Sequence, residues 1–240
     1  VARKVDPEKV AQKKAEIAEA AARLFATQGF ENTSVAQVAK EVGISPASVF
    51  YYFPDKASLF RAPFESDVPT AETLLAEHRD STDPLASILD ILTTLAAEAA
   101  YPYAQGMLVE SLRRMGHDPE LVAASEKAAT LQNAALADLL GRAIQSGQVD
   151  PALDPAHTAG WLLTIVDACY LNAEPGHDPS AEMRRTALGY LNPGNPGSPG
   201  NPGSPGNPGS PGNPGSPGNP GNPGRPGSAA TAHEKGTDHA

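Results

Sequence analysis

A single cysteine, Cys169, stands in 240 residues. No disulfide framework can form within one chain and no cysteine-based zinc site can be assembled. Its expected place is buried and inert. Aromatic residues are scarce, at 5%, with one tryptophan, Trp161, and three methionines. Long apolar runs are missing as well. Asp, Glu or Gly interrupts each one well short of the ~18 residues that a membrane span requires. No apolar core follows the charged first residues, so nothing resembles an export signal. A cytoplasmic protein with no membrane partner is the expectation. No segment alternates apolar and polar residues between turn signals as strands do, so the expected fold is all-α. His117, His157 and His177 lack ligand spacing, and neither a metal nor any other cofactor is expected.

The net charge of −10 is unevenly placed. Residues 1–62 hold nine basic and seven acidic groups, a balance of +2. Residues 63–240 hold nine against twenty-one, a balance of −12. The acidity of the whole therefore says little about a nucleic-acid partner, which local cations decide.

Helix starts are unusually legible. Asp6-Pro7, Asp83-Pro84, Asp118-Pro119, Asp154-Pro155 and Asp178-Pro179 each set a capping side chain beside a residue with a pre-set φ. Val10, Ile17, Ala21, Leu24 and Phe25 make the apolar stripe of a first helix that ends at Gly29. Thr33 or Ser34 caps a short second helix to about Val42, Gly43 makes a turn, and Ser45-Pro46 opens a third helix to about Phe53. Pro54-Asp55 resets the chain for a fourth, which Pro63 and Pro69 should kink or break in two. Later apolar sets follow at helical spacing: Ile88/Ile91/Leu92/Leu95, Leu121/Ala128/Leu131/Ala135/Leu139, Trp161/Leu162/Ile165/Cys169 and Met183/Ala187/Leu188/Leu191.

From Pro193 the composition changes. Gly recurs every third residue from Gly194 to Gly227, each preceded by Pro. No core can form from such a tract. Asn-Pro-Gly and Ser-Pro-Gly are type II turn sequences, whereas the period also suits polyproline II and the collagen triple helix. A disordered, semi-extended single-chain tail is favoured. The tract is short and lacks stapling charges, and a two-fold dimer does not present three tails. It should be dispensable for folding. The division expected is 1–62, 63–192 and a low-complexity tail over 193–240.

Two short helices around a glycine turn put definite demands on residue type. Ala39 has to be small where the helices cross, and Gly43 permits a left-handed turn. Val38, Val42, Ile44 and Val49 form the shared core. The outward residues of the second short helix are then free to enter a major groove, while flanking groups grip phosphates.

Residues 17–60, IAEAAARLFATQGFENTSVAQVAKEVGISPASVFYYFPDKASLF, resemble the N-terminal domain of the TetR family. The likeness runs through Ala21 to Phe30, the Thr33-Ser34 pair, Val38 to Ser45 and Tyr51 to Lys56. It implies an N-terminal three-helix helix-turn-helix domain followed by a helical-bundle ligand and dimerisation domain. Carried over by position, Thr33 or Ser34 donates to a phosphate. Ser45, Pro46, Ala47 and Ser48 stand at the groove-facing start of the recognition helix, with Pro46 where Lys is common and Ala47 where Gly is common. Tyr51 and Tyr52 contact phosphate or sugar, and Lys56 binds phosphate. Plainer roles compete: Tyr51 and Tyr52 as core aromatics, Lys56 as a solvated charge, Thr33 and Ser34 as caps. Phe50, where Tyr is common, is expected in the core.

The resemblance also implies a homodimer formed through helices 155–171 and 179–191, with Trp161, Ile165, Cys169, Met183 and Leu188 at the two-fold axis or in intrachain core. Tyr101, Tyr103, Met107, Met115, Trp161 and Tyr170 are candidates to line an effector pocket, since aromatics and Met suit apolar ligands. Each could equally be simple core. The function implied is a sequence-specific regulator of transcription, a repressor released from an inverted-repeat operator by a small-molecule effector, with the fourth helix as the mechanical link. An enzyme is disfavoured: no nucleophile elbow, phosphate loop, paired-carboxylate motif or metal cluster is present. A scaffold whose working part is the Gly-x-Pro tract is the remaining alternative.

Overall fold

The structure is a computed structural model that describes residues 6–174 and 176–194. Among them there is no strand, as expected of an all-α chain. The helices run α1 (Pro7–Gln28), α2 (Val35–Val42), α3 (Pro46–Tyr52), α4 (Lys56–His78), α5 (Pro84–Ala97), α6 (Ala104–Arg114), α7 (Pro119–Gln145), α8 (Pro155–Leu171) and α9 (Ser180–Leu191). A 3-10 turn, Glu98–Ala100, extends α5. The Gly-x-Pro tract beyond Gly194, and the expectations attached to it, lie outside the described residues. No described helix is long and apolar enough to cross a membrane.

Most helices begin where their caps place them. Asp6, Asp55, Asp83, Asp118 and Asp154 each accept a backbone N–H with the side chain at the head of α1, α4, α5, α7 and α8. The Asp178-Pro179 pair works differently. Asp178 Oδ1 accepts the Ser180 N–H at 2.9 Å inside the preceding turn, so α9 starts at Ser180.

α4 bears on the expected effect of its prolines. It runs as one helix through Pro63 and Pro69, so of the two expected outcomes, a kink or a break, the break does not occur. Each proline deletes one backbone donor, but packing against α1 and α7 holds the helix together, with Leu59, Phe60, Val68 and Ala71 buried along it. Tertiary burial outweighs a local propensity penalty of this kind. The expected boundary at residue 62 therefore falls inside a continuous helix.

Two cores result. One joins Ile88, Leu92, Leu136, Leu140, Leu162 and Met183 from α5, α7, α8 and α9. The other joins Ile17, Phe25, Val38, Val49 and Phe60 of the N-terminal helices and is completed by Met107 of α6 and Leu121 of α7. Met183, 1% exposed, is intrachain core, not a residue at a two-fold axis. Trp161 and Leu188 remain 48% and 41% exposed.

Candidate nucleic-acid interface

The turn between α2 and α3 follows from one backbone conformation. Gly43 adopts φ 72°, ψ 31°. Its N–H donates to the Lys40 carbonyl at 3.3 Å, and the Ile44 N–H donates to the Ala39 carbonyl at 2.9 Å. This paired closure ends α2 in the left-handed manner that favours glycine. Ala39 is 1% exposed, as a close helix crossing requires. Ser45 then caps α3 by accepting the Ser48 N–H at 3.1 Å, and the two hydroxyls lie 2.8 Å apart.

On the seven-residue α3, Val49 and Phe53 at its end face inward, with Tyr52 half-buried between them and solvent. Ser45, Pro46 and Ala47 are exposed and Ser48 is half-buried. Tyr51 is 69% exposed, its ring edge-on to Tyr52 at 5.0 Å. Phe50 is 49% exposed, against the expectation of a core position. It lies one residue off the inward Val49/Phe53 stripe, so a helix of this length turns it outward.

Thr33 and Ser34 differ sharply in exposure. Thr33 is 2% exposed and its hydroxyl donates to the Gly29 carbonyl at 2.9 Å, which leaves Ser34 as the exposed member of the pair. Ser34 is exposed and caps α2, accepting the Gln37 N–H at 3.3 Å while the Gln37 side chain accepts the Ser34 N–H at 2.7 Å. Lys56 is neither a free surface charge nor wholly available. Its Nζ donates to the Phe30 carbonyl at 2.8 Å and the Thr33 carbonyl at 3.1 Å, and sits 4.2 Å from the centre of the Phe30 ring. One ammonium donor remains for an outside acceptor. Lys40 on α2 is exposed, as is Lys14 on α1, whose ammonium lies 5.3 Å from the centre of the Phe53 ring.

A buried polar cluster ties this unit to the bundle, and the sequence does not reveal it. Glu110 of α6, 8% exposed, accepts the Phe30 N–H at 3.1 Å. Arg114 lies over the Phe30 ring at 3.4 Å. Asp118, 4% exposed, accepts from Arg61 of α4 at 3.2 and 3.3 Å and lies 3.6 Å from Arg114. The link to the bundle thus runs through α6 and the head of α7 as well as α4.

The expected pocket residues do not line one cavity. Tyr101 and Tyr103 border a cavity of about 210 Å³ together with Ala26 and Glu174. A second cavity, of about 260 Å³, is bordered by Ile165, Cys169 and His177. Met107 is buried in the N-terminal core. Met115 and Trp161 are exposed, and Tyr170 donates to the Leu95 carbonyl at 3.2 Å. Burial raises the Tyr170 hydroxyl well above its usual range, with Glu98 adding to the effect. Cys169 is half-buried, its thiol donating to the Ile165 carbonyl at 3.4 Å, and burial raises it further from ionisation.

The sequence model described as "Bacterial regulatory proteins, tetR family" matches residues 17–62, the span of this unit. The HTH-type transcriptional regulator YfiR of Bacillus subtilis is 30% identical over 173 residues, covering 71% of this chain and 84% of its own length. The chain belongs to the TetR family. RutR of Escherichia coli, another HTH-type transcriptional regulator, is 30% identical over 152 residues, 62% of this chain and 69% of its own. The solved structure of AibR in complex with isovaleryl coenzyme A and operator DNA shares the fold, with a TM-score of 0.61 at 20% identity over 75% of this chain and 98% of that one. This TetR-family chain is thereby a DNA-binding transcriptional regulator. Its last part, residues 191–238, separately matches the collagen triple helix repeat.

Proposed function

We propose that this TetR-family protein acts as a homodimeric repressor, binding an inverted-repeat operator and leaving it when a small molecule binds the bundle, and that its role is regulatory and not catalytic. The observation that carries the reading is the outward face of α3, where Ser45, Pro46, Ala47 and Tyr51 stand exposed on a helix fixed by the Gly43 turn. Ser45, Pro46, Ala47 and Ser48 are the groove-facing set. Ser34, Tyr51, Tyr52 and Lys56 are the phosphate and sugar set, each with an exposed or half-exposed side chain. The exposed Trp161 of α8 and Leu188 of α9 are available to a second copy. The small-molecule step is supported by the cavities of the bundle and by the buried cluster from Asp118 to Phe30, which offers a physical route between them and α1–α3. AibR, a protein of the same fold, is known in complex with both an acyl coenzyme A and operator DNA.

Two recognition helices in such a dimer should reach major-groove segments about one helical turn apart, ~34–36 Å. Footprinting on a random duplex library with the region upstream of the gene included should return an inverted repeat, and affinity should fall steeply with salt as counterions are released. Equal affinity for a scrambled duplex would refute it.

A further inference from the structure

The start of α6 presses closely on the end of α1. A Cβ placed on Gly106 would lie 2.5 Å from the Ala26 carbonyl oxygen, so only glycine allows this approach. The 210 Å³ cavity opens beside that crossing, bordered by both residues. Tyr101 and Tyr103 form part of its wall, their ring centres 5.6 Å apart at 78°. The face of an aromatic ring carries partial negative charge. Glu174, from the segment after α8, borders the same cavity, and Gln105 donates to the carbonyl of Leu171, the last residue of α8, at 2.7 Å. Glu19 of α1 acts electrostatically on the Tyr101 hydroxyl, which burial first of all keeps neutral. Arg23 also acts on Tyr101, but its guanidinium is ion-paired with Glu41 of α2. Of the residues bordering the cavity, two are tyrosines, one is a glutamate and none is Lys, Arg or His.

We propose that this cavity binds a small organic cation of the methylated-ammonium class, held on the faces of Tyr101 and Tyr103 and by the Glu174 carboxylate. Such cations are attracted to aromatic faces through the ring quadrupole. The volume is below that of a drug-sized pocket, which restricts the ligand to a few heavy atoms. An occupant touches α1, α6 and the segment after α8 together, and so braces the crossing at Gly106 and Ala26. Binding is independent of the operator reading; only its consequence for DNA affinity rests on it.

The test is a titration of the full chain with tetramethylammonium chloride at constant ionic strength, followed by calorimetry and by the tyrosine proton resonances. Tert-butanol serves as the uncharged control of similar size. Saturable binding is expected for the cation and not for the alcohol, with shifts at Tyr101 and Tyr103. Tyr101→Leu, at a 41% exposed side chain, and Glu174→Gln should each keep the parent melting temperature and weaken binding several-fold. Tyr103→Leu should weaken it about tenfold, ~1.4 kcal/mol. No saturation, an equal response to tert-butanol, or unchanged affinity in Tyr101→Leu and Glu174→Gln overturns the proposal. A footprint run on the same preparation keeps its failure apart from that of the operator reading, because the protein can protect DNA whether or not it binds the cation.

Discussion

Asp118 should be the costliest side chain to truncate at the junction between α1–α4 and the bundle. It is 4% exposed and accepts from two donors, the Leu121 N–H at 3.1 Å, as the cap of α7, and Arg61 Nη1, which reaches its two oxygens at 3.2 and 3.3 Å; Arg114 is ion-paired with it at 3.6 Å. Removing one partner of a buried ion pair costs about 3–5 kcal/mol because the other charge stays behind. Losing a helix cap adds about 1 kcal/mol. Against this, Arg61 keeps Glu120 at 2.5 Å and Glu65 at 3.7 Å, and Arg114 keeps Glu31 at 3.8 Å. All three glutamates are exposed, so their compensation is screened by solvent. A net loss of about 3–4 kcal/mol follows for Asp118→Ala. At about 2–4 °C per kcal/mol for a chain of this size, melting followed by circular dichroism should drop by about 6–16 °C. Asp118→Asn retains an acceptor for the cap and should lose less. Arg61→Met in the Asp118→Ala background removes the stranded cation and should recover part of the loss. If Asp118→Ala melts within about 2 °C of the parent, or Arg61→Met only adds its own penalty, the cluster is solvated and the reasoning fails.

Lys56→Met removes two hydrogen bonds inside the protein and should cost about 1.5–3 kcal/mol; measured well below melting, it should also flatten the salt dependence of operator binding by about one unit. A fall in melting temperature with an unchanged salt slope would make Lys56 a clamp only. Gly43→Ala meets no atom within 4 Å but holds φ 72°, so its cost is conformational, about 1–2 kcal/mol. Gly106→Ala must instead push α6 off the Ala26 carbonyl, and chemical unfolding should show a loss of similar size together with weakened protection of the Phe30 amide from hydrogen exchange. Burial, and then Glu98, push the Asp67 carboxyl up to about 6 although its surface keeps solvent contact. The folded state therefore binds this proton more tightly than the unfolded chain. The contribution of this group to stability should grow as pH falls from 7 through 6 and level off below the unfolded value near 3.8, and solvent at its exposed surface keeps it small. Asp67→Asn should remove that rise; a parent-like pH profile in the variant would place its origin elsewhere.

The elements and the recognition unit were legible because their determinants are local. An Asp-Pro pair or a Ser two or three residues ahead of an apolar stripe carries its own capping chemistry, and Gly43 carries its own turn. α6 has no such mark. Tyr103 makes no capping side-chain bond, and the helix is held by its neighbours. Between adjacent hydroxyls the sequence could not choose, and geometry turned Thr33 inward and Ser34 outward. Phe50 differs for the same kind of reason: its apolar side chain suits the core, but helical phase is set by the buried Val49 and Phe53. The pocket candidates failed to converge because Met107 and Tyr170 reach their positions through packing between distant helices. Glu110 and Phe30 are eighty residues apart, and no local pattern joins them.

That last contact bears on how a signal can cross the molecule. The core beneath α2 and α3 is completed by Met107 and Leu121, so the recognition unit has no closed core of its own to move as an independent body. Phe30, between α1 and α2, is held at every point. Its N–H goes to Glu110, its carbonyl to Lys56, and its ring packs on Phe25 at 5.5 Å, Phe60 at 5.5 Å and the Arg114 guanidinium at 3.4 Å. A shift of α6 along its axis must therefore either break the Glu110 bond and leave a buried N–H unpaired, or carry Phe30 with it. The first alternative costs about 1–3 kcal/mol, comparable to the coupling energies by which effectors change the affinity of a second site. The second drags the start of α2 and, through the Lys56 bonds to Phe30 and Thr33, the head of α4. Either way a ligand that prefers one position of α6 acts on the orientation of α3, and it does so by no more than its difference in affinity for the two positions.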